Sequence, residues 1–212
     1  MSNGKVIVIG CGDQAEVVID IIHTQGVNEI IGLTSKDSDI KEFCGYPVLG
    51  NDSILTELIK KQQFKLAMGV GGYRSNLQRK NIFNKLKKEG FDFINVIHPF
   101  TSISSSAVLG EGITIYPGTV INTSAQVEDN VILALNASIG HHTLIKSHIL
   151  VSASASIGAN TVVGEESLVA MGARIISGVH VGKNVTVGAG AVVVKSIESN
   201  KTVFGIPAKE RE

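Results

Sequence analysis

Three histidines, His141, His142 and His148, lie close together in the second half of the chain. A neutral imidazole, whose ordinary pKa is about 6.5, can take a proton at neutral pH or ligate a metal ion. A zinc site between subunits that hydrates carbon dioxide is therefore one hypothesis. We do not favour it, because adjacent histidines on a β-strand point to opposite faces, and we predict no metal site. These histidines could also be solvated surface residues.

A glycine-rich segment near the amino terminus is the second place where residue types suggest chemistry. Gly10 and Gly12 belong to the sequence Gly-Cys-Gly-Asp-Gln-Ala at 10–15, between a predicted strand at 5–9 and an amphipathic helix at 16–23. Such a turn exposes backbone N–H groups to a phosphate at the start of the helix. The segment predicts a phosphate-containing ligand, although the same glycines could simply make a tight turn.

A nicotinamide dinucleotide is the less favoured ligand for this segment. Its ribose is usually bound by an acidic residue about 20 positions further on. Here the second predicted strand, at 29–33, is followed by Thr34, Ser35 and Lys36, with Asp37 only after them. The domain is also too short for the second set of strands of a dinucleotide fold. We therefore predict a nucleotide-linked ligand rather than NAD.

A strict six-residue repeat fills the second half of the chain. Every sixth residue from Ile103 to Val193 is aliphatic, without an exception or an insertion. The residue two positions earlier is often small or β-branched. The residue after is often small, as at Gly140 and Gly158, which fits bends of unusual φ or close stacking of two turns. The hexad predicts a parallel β-helix in which three hexads make one triangular coil and residues 18 apart form columns.

The residues before the repeat follow a different pattern. Predicted strands at 5–9, 29–33 and 65–69 alternate with helices, the last of which covers 76–89, as is typical of βα units. Residues 94–99 then lead into the first coil with little linker.

Two domains follow from these patterns. We predict an α/β domain with a short Rossmann-like parallel sheet at 1–100. A left-handed parallel β-helix of hexapeptide repeats with a C-terminal tail is predicted at 101–212.

The composition is that of a compact globular protein. The 212 residues are 43% hydrophobic and 5% aromatic, and 19 basic side chains balance 19 acidic ones. This balance argues against nucleic acid or an anionic membrane as a partner. Cys11 and Cys44 are too few for a disulfide scaffold, and we identify no signal peptide or membrane-spanning run. We expect a cytoplasmic protein.

The motifs together resemble those of the bacterial sugar O-/N-acyltransferase family with hexapeptide repeats. They are the glycine-rich strand–helix unit, an Ile-His-Pro junction at 97–99, the uninterrupted hexads and a closing Gly-Ile-Pro-Ala-Lys at 205–209. The family includes sialic acid O-acetyltransferases and N-acetyltransferases of nucleotide-linked 4-amino-4,6-dideoxy sugars. The resemblance covers nearly the whole chain. It implies a homotrimer, acetyl-CoA as the acetyl donor and active sites between adjacent β-helices.

The resemblance also implies that His141 is the catalytic base. The family motif Ile-Gly-His-(Asp/Glu) is matched at 139–142 by Ile-Gly-His-His. His142 therefore stands where the family has the acid that orients the base, and it could replace that acid only as a neutral acceptor. A second family histidine, near the thioester, corresponds to Leu150, and His148 is two residues out of phase with it.

Donor-binding residues are implied in the later coils. Gly172 and Gly190 match Gly-Ala positions of the family and lie one coil apart, with Ala173 and Ala191 beside them. Small residues there would let the pantetheine approach the backbone, or they could be ordinary turn residues of the repeat. Lys209 could contact the phosphates of the coenzyme, or simply solubilise the tail.

Acceptor-binding residues are implied in the first domain. The nucleotide sugar would lie against the glycine-rich segment, the end of the second strand and the loop 71–74. The residues concerned are Gly10, Gly12, Asp13, Gln14, Thr34, Ser35, Lys36, Gly71 and Arg74. Many family members carry acidic residues after the second strand, where the base is read, so the nucleobase stays open here. Arg74 could pair with the pyrophosphate or cap its own helix.

We therefore expect acetyl-CoA-dependent N-acetylation of a nucleotide-linked 4-amino-4,6-dideoxy sugar, in O-antigen or other surface glycan synthesis. The sugar amine would attack the thioester directly while His141 takes its proton and backbone N–H groups hold the oxyanion. Two alternatives stay open. One is an O-acetyltransferase for sialic acid or another sugar, and the other is a trimeric scaffold that binds sugar nucleotides without turnover.

Overall fold

The computed structural model describes residues 4–72 and 76–210. Its amino-terminal part is a small α/β domain with a three-stranded parallel sheet in the order β2-β1-β5. The elements are β1 (Gly4–Ile9), α1 (Asp13–Gln25), β2 (Asn28–Thr34), β3 (Glu42–Phe43), β4 (Tyr46–Pro47), a 3-10 helix (Asp52–Ile54), α2 (Leu55–Leu58), β5 (Lys65–Met68) and α3 (Leu77–Lys88). The predicted alternation of strands and helices is confirmed.

The central strand β1 is buried on both faces, which explains its continuous apolar sequence. Val6 and Val8 pack in the same cluster as α1, whereas Ile7 and Ile9 pack on the other face with Phe83 of α3. These four side chains of β1 are at most 1% exposed. The sheet is therefore a rigid base for the loops that leave its carboxyl ends.

Glycines set both ends of α1. Gly12 is the N-cap in an extended conformation, and Gly26 ends the helix with a left-handed φ of 64° while its N–H donates to Ile22 O at 3.1 Å. The helix therefore begins three residues before the predicted start, directly at the glycine-rich turn.

The rest of the chain forms a left-handed parallel β-helix. Its strands are β6 (Val96–Ile97), β7 (Ser102–Ile103), β8 (Val108–Leu109), β9 (Thr114–Ile115), β10 (Val120–Ile121), β11 (Gln126–Val127), β12 (Ile132–Leu133), β13 (Ser138–Ile139), β14 (Leu144–Ile145), β15 (Leu150–Val151), β16 (Ser156–Ile157), β17 (Val162–Val163), β18 (Leu168–Val169), β19 (Arg174–Ile175), β20 (His180–Val181), β21 (Thr186–Val187), β22 (Val192–Val193), β23 (Thr202–Phe204) and β24 (Lys209–Glu210).

The β-helix strands form three sheets, one for each face of the triangle. Every third strand pairs in register, so that Ile121, Ile139 and Ile157 stack directly over one another. The five-stranded sheet runs from β8 to β20, the six-stranded sheet from β7 to β22, and the eight-stranded sheet from β6 to β24. Because β6 pairs with β9, Val96 already belongs to the first coil of the β-helix.

The aliphatic hexad positions fill the interior, as the repeat predicts. Ile139, Ile145 and Val151 are each at most 1% exposed. Where the position two residues before the aliphatic one is Thr or Ser, the side chain is usually buried as well. The hydroxyl of Thr143, for example, donates a hydrogen bond of 2.8 Å to Gly158 O. Burial of each large aliphatic side chain stabilises the fold by roughly 1.5–3 kcal/mol.

The turns explain why a small residue often follows the aliphatic one. At Gly158 a Cβ would lie 2.4 Å from the backbone nitrogen of Ser177 in the next coil, so close stacking is the reason. The left-handed φ falls two residues later instead, for example at Asn160 with φ 53° and Asn130 with φ 58°. Asparagine tolerates that conformation better than most side chains.

A buried arginine joins the two parts of the molecule. Arg79 on α3 is fully buried, and its Nη1 donates to Met68 O at 3.1 Å and Val70 O at 2.8 Å. Its Nη2 donates to Gly112 O at 2.8 Å and Thr114 Oγ1 at 3.3 Å in the β-helix. Burial lowers the pKa of Arg79 to about 9, which leaves it protonated at neutral pH.

No helix within the described ranges has the length and apolar character needed to cross a membrane.

Candidate active site

A cavity of about 550 Å³ opens at the carboxyl ends of β1, β2 and β5. This edge of a parallel sheet is where α/β folds usually bind ligands. Eight of the predicted acceptor-binding residues line the cavity: Gly10, Gly12, Asp13, Gln14, Thr34, Ser35, Lys36 and Gly71. Arg74 and Tyr73 lie outside the described residues. The structure thus brings together three predicted segments that are far apart in sequence.

The glycine-rich turn forms the floor of the cavity. Gly10 has a φ of 99°, and a Cβ there would approach Val70 Cγ2 to 3.0 Å, so both conformation and space require glycine. Gly12 has open space where a Cβ would project. The first N–H groups of a helix have no partner inside the helix and carry its positive dipole end. The start of α1 can therefore bind an anionic group in the cavity.

Gln14 links this cavity to the β-helix. Its Oε1 accepts a hydrogen bond of 2.7 Å from the hydroxyl of Tyr116, just after β9. Its Nε2 is buried and has no hydrogen-bond partner in the described structure. Gln14 also lines the cavity, so this unpaired donor belongs to a residue of the cavity wall.

The cavity contains a carboxylate that the sequence analysis missed. Asp52, at the start of the 3-10 helix, lines the cavity, and its Oδ1 accepts a 2.6 Å hydrogen bond from the hydroxyl of Thr34. Thr34 is the last residue of β2 and is fully buried. Cys11 lies nearby, with its thiol donating to Thr34 O at 3.5 Å, and burial raises the pKa of that thiol.

His141 and His142 lie in an exposed turn after β13, outside the cavity. The expectation that these adjacent histidines point to opposite faces is wrong. They are in a turn rather than a strand, and His142 has a left-handed φ of 56°. That backbone brings the two rings together edge to face, with the Nδ1 atoms 3.0 Å apart. Only one Nδ1 can carry the shared proton, so the other must be an acceptor.

His148 lies elsewhere, as its different phase in the repeat predicts. It is 5% exposed in the turn after β14, where its Nδ1 is 2.9 Å from Asn130 Nδ2 and its ring contacts the edge of Phe83. Burial lowers the pKa of His148, and Lys80 lowers it further. Leu150 is buried in β15. Across residues 4–72 and 76–210 no group of three His, Cys, Asp or Glu side chains could hold a metal ion.

The residues implied for donor binding differ in accessibility. Gly172 and Gly190 are left-handed turn residues, both with φ 67° and with open space where a Cβ would project. Ala173 and Ala191 are fully buried in the core of the β-helix, so their side chains cannot contact a ligand. They are small because the interior of the coil has no room there. Lys209 is exposed on β24.

The two candidate regions lie at different edges of the triangular β-helix. The first domain contacts residues that follow strands of the five-stranded and eight-stranded sheets: Arg79 bonds Gly112 and Asn76 bonds His148 O after the former, and Gln14 bonds Tyr116 after the latter. His141 lies in a turn after the six-stranded sheet. The histidine pair and the cavity of one chain therefore face different sides of the molecule.

Two family models match the chain. The model described as the PglD N-terminal domain matches residues 5–86, and the bacterial transferase hexapeptide model, of six repeats, matches residues 160–195. Fold and site thus define a transferase of the hexapeptide-repeat class. No curated protein sequence matches the chain.

Solved structures match it along its whole length. PerB from Caulobacter crescentus in complex with CoA and GDP-perosamine is 30% identical with a TM-score of 0.90, covering 100% of this chain and 99% of that one. The acetyltransferase domain of PglB from Neisseria gonorrhoeae FA1090 in complex with acetyl coenzyme A is 32% identical with a TM-score of 0.88, covering 99% and 100%. The chain belongs to the nucleotide-amino-sugar N-acetyltransferase family of hexapeptide-repeat acyltransferases.

Proposed function

We propose that this protein transfers the acetyl group of acetyl-CoA to the amine of a nucleotide-linked 4-amino-4,6-dideoxy sugar. One observation carries the proposal. A cavity with an anion-binding helix start lies in a chain similar along its whole length to an enzyme crystallised with CoA and GDP-perosamine. A helix start suits a pyrophosphate, which every nucleotide sugar of this kind contains.

The nucleotide sugar would occupy the cavity at the carboxyl ends of the sheet. Its pyrophosphate would bind the N–H groups of Gly12 and Asp13, with Gln14 Nε2 as a further donor and Arg74 as a partner from the loop. Its nucleoside would extend toward the end of β2, where Thr34, Ser35 and Lys36 line the cavity.

Acetyl-CoA, the second substrate, would lie along the later coils of the β-helix. Gly172 and Gly190 present open backbone there, whereas Ala173 and Ala191 would contribute only the tight interior that shapes these turns. Lys209 would contact the phosphates of the coenzyme as an exposed cation.

His141 would act as general base through its Nε2. Its Nδ1 would then carry the proton of the pair and donate it to His142 Nδ1, so His142 replaces the family's acid as a neutral acceptor. The sugar amine attacks the thioester carbonyl and forms the new C–N bond while backbone N–H groups hold the oxyanion. His141 takes the amine proton, the C–S bond breaks, and the proton passes to the CoA thiolate.

A homotrimer would complete the site. Since the cavity and the histidine pair of one chain lie at different edges of the β-helix, the sugar in one cavity would reach His141 of a neighbouring chain. We place this activity in the cytoplasm, in the synthesis of O-antigen or another surface glycan.

The test is thiol release from acetyl-CoA with UDP-, dTDP- and GDP-linked 4-amino-4,6-dideoxy sugars and with free sialic acid, followed by product mass. We expect one nucleotide sugar to gain a single acetyl group. Acetylation of sialic acid alone would contradict the proposal in favour of O-acetyl transfer. Binding of both substrates without turnover would contradict it in favour of a scaffold.

A further inference from the structure

The position of Asp52 in the cavity is fixed by backbone pairing that continues β2. Leu49 N donates to Leu33 O at 2.8 Å, and Ser35 N donates to Gly50 O at 2.9 Å. The following 3-10 helix is capped by Asn51, whose side chain accepts from Ser53 N at 3.0 Å. A segment 18 residues beyond Thr34 is thus held against the end of β2, with the Asp52 carboxylate hydrogen-bonded to Thr34.

The carboxylate faces the cavity with unused acceptor capacity. The hydroxyl of Thr34 bonds Oδ1, and an ionised carboxylate has several further lone-pair positions. In nucleotide-binding α/β folds, an acid at the end of the second strand accepts hydrogen bonds from the ribose. Asp37, three residues after the end of β2, is exposed, and its Oδ1 accepts from Asp39 N at 2.9 Å instead. Asp52 also lies beside the end of β2, through its hydrogen bond with Thr34, although it is 18 residues further along the chain.

We propose that Asp52 binds the ribose hydroxyls of the nucleotide sugar and selects ribonucleotides over 2′-deoxyribonucleotides. This inference rests on the proposed function, because it assumes a nucleotide in the cavity. A ribose presents two neighbouring O–H donors to a carboxylate, whereas a 2′-deoxyribose presents one. A hydrogen bond to a charged group changes affinity by about 10-fold or more. The substrate class is accordingly a UDP- or GDP-linked sugar rather than a dTDP-linked one.

The test is calorimetric titration of the full chain with GDP and 2′-deoxy-GDP, and with UDP and 2′-deoxy-UDP. For the base that binds, we expect the wild-type protein to bind the ribonucleotide about 10-fold more tightly than its deoxy form. Asp52→Ala should bring the two forms to equal affinity. Asp39→Ala, which removes an exposed acid outside the cavity lining, should leave the preference unchanged.

A second variant separates recognition from folding. Thr34→Val keeps the shape of a buried residue but removes the hydroxyl that orients Asp52, so it should reduce the ribose preference without abolishing binding. Equal affinity of the wild type for ribo and deoxy forms would overturn the Asp52 inference and leave the proposed function standing. A ribose preference that survives in Asp52→Ala would also overturn the Asp52 inference and leave the proposed function standing. Binding of dTDP alone would overturn the Asp52 inference and leave the proposed function standing, whereas failure of these four nucleotides and of dTDP to bind would overturn both.

Discussion

The cavity and the histidine pair are built in opposite ways. The cavity gathers loops from three strand ends and a helix start. His141 and His142 lie instead on an exposed turn whose backbone is set by coils stacked above and below. Under the proposed function, binding and proton transfer therefore belong to separate parts of the fold. A single chain holds both parts but does not bring them together.

The largest expected effect separates chemistry from binding. His141→Ala should lower kcat by about 100- to 10,000-fold, the usual contribution of a general base. The affinity for nucleoside diphosphates should stay within about twofold of that of the wild type, because His141 lies outside the cavity. Steady-state kinetics and calorimetry measure the two quantities. His180→Ala, another exposed histidine, is the control, and near-normal kcat for His141→Ala would refute its role as base.

The second largest effect concerns the contact between the amino-terminal domain and the β-helix. Arg79→Met leaves four hydrogen-bond acceptors between the two domains without their donor. It should lower the free energy of unfolding by about 3 kcal/mol. Lys85→Met, on an exposed position of the same helix, should change it little. Denaturant unfolding provides the comparison. Equal free energies of unfolding for the two variants would mean that the contact between the domains does not depend on Arg79.

Two glycine substitutions contrast the packing of the two regions. Gly158→Ala should cost about 1–3 kcal/mol of stability, because its Cβ would meet the backbone of the next coil. Gly12→Ala should cost less than about 1 kcal/mol, since its Cβ has open space, but it should weaken nucleotide binding. Thermal unfolding and titration would reveal the difference, and a reversed order of stability would contradict this description of the coil turns.

A smaller effect concerns the orientation of the base. His142→Ala removes the acceptor for His141 Nδ1 and should lower kcat by about 10-fold. His142→Asn should retain more activity, because asparagine tolerates the left-handed φ of 56° and keeps an acceptor oxygen. Equal losses in both variants would indicate that neither the acceptor nor the turn conformation accounts for the role of His142.

The smallest expected effect is a pH dependence of stability from His148. Burial lowers its pKa in the folded protein, so below about pH 6.5 the unfolded chain binds a proton that the folded chain does not. Stability should fall as the pH falls, by at most about 1.4 kcal/mol per pH unit for this group. His148→Asn, which matches Asn130 and Asn184 in its column, should flatten that slope. His180→Asn serves as the exposed control, and an unchanged slope in His148→Asn would exclude this origin.

The sequence alone predicted the β-helix well because its order is one-dimensional. A hexad that places Ile121, Ile139 and Ile157 one coil apart already specifies which strands pair. The glycine-rich turn was equally readable, since Gly10 and Gly12 precede a helix directly. In both cases, residues that act together are close in sequence or related by a fixed period.

Features that depend on long-range contacts could not be predicted in this way. Asp52 reaches the cavity through a loop pairing with the end of β2 that no local motif predicts. The contact of His141 with His142 required knowing that His142 has a left-handed backbone. Motif position alone suggested ligand binding for Ala173 and Ala191, although the packing of the coil explains their size.

Complementation between two inactive variants tests the central claim most directly. His141→Ala and Gly12→Phe, which fills the cavity from its open floor, would be co-expressed with different tags and the mixed oligomers purified. If each site combines one chain's cavity with a neighbour's histidine, every mixed trimer contains one intact site out of three and should regain about a third of wild-type turnover. A chain carrying both substitutions is the control and should stay inactive. Mixed oligomers without activity would show that cavity and histidine must come from the same chain, and would contradict the account.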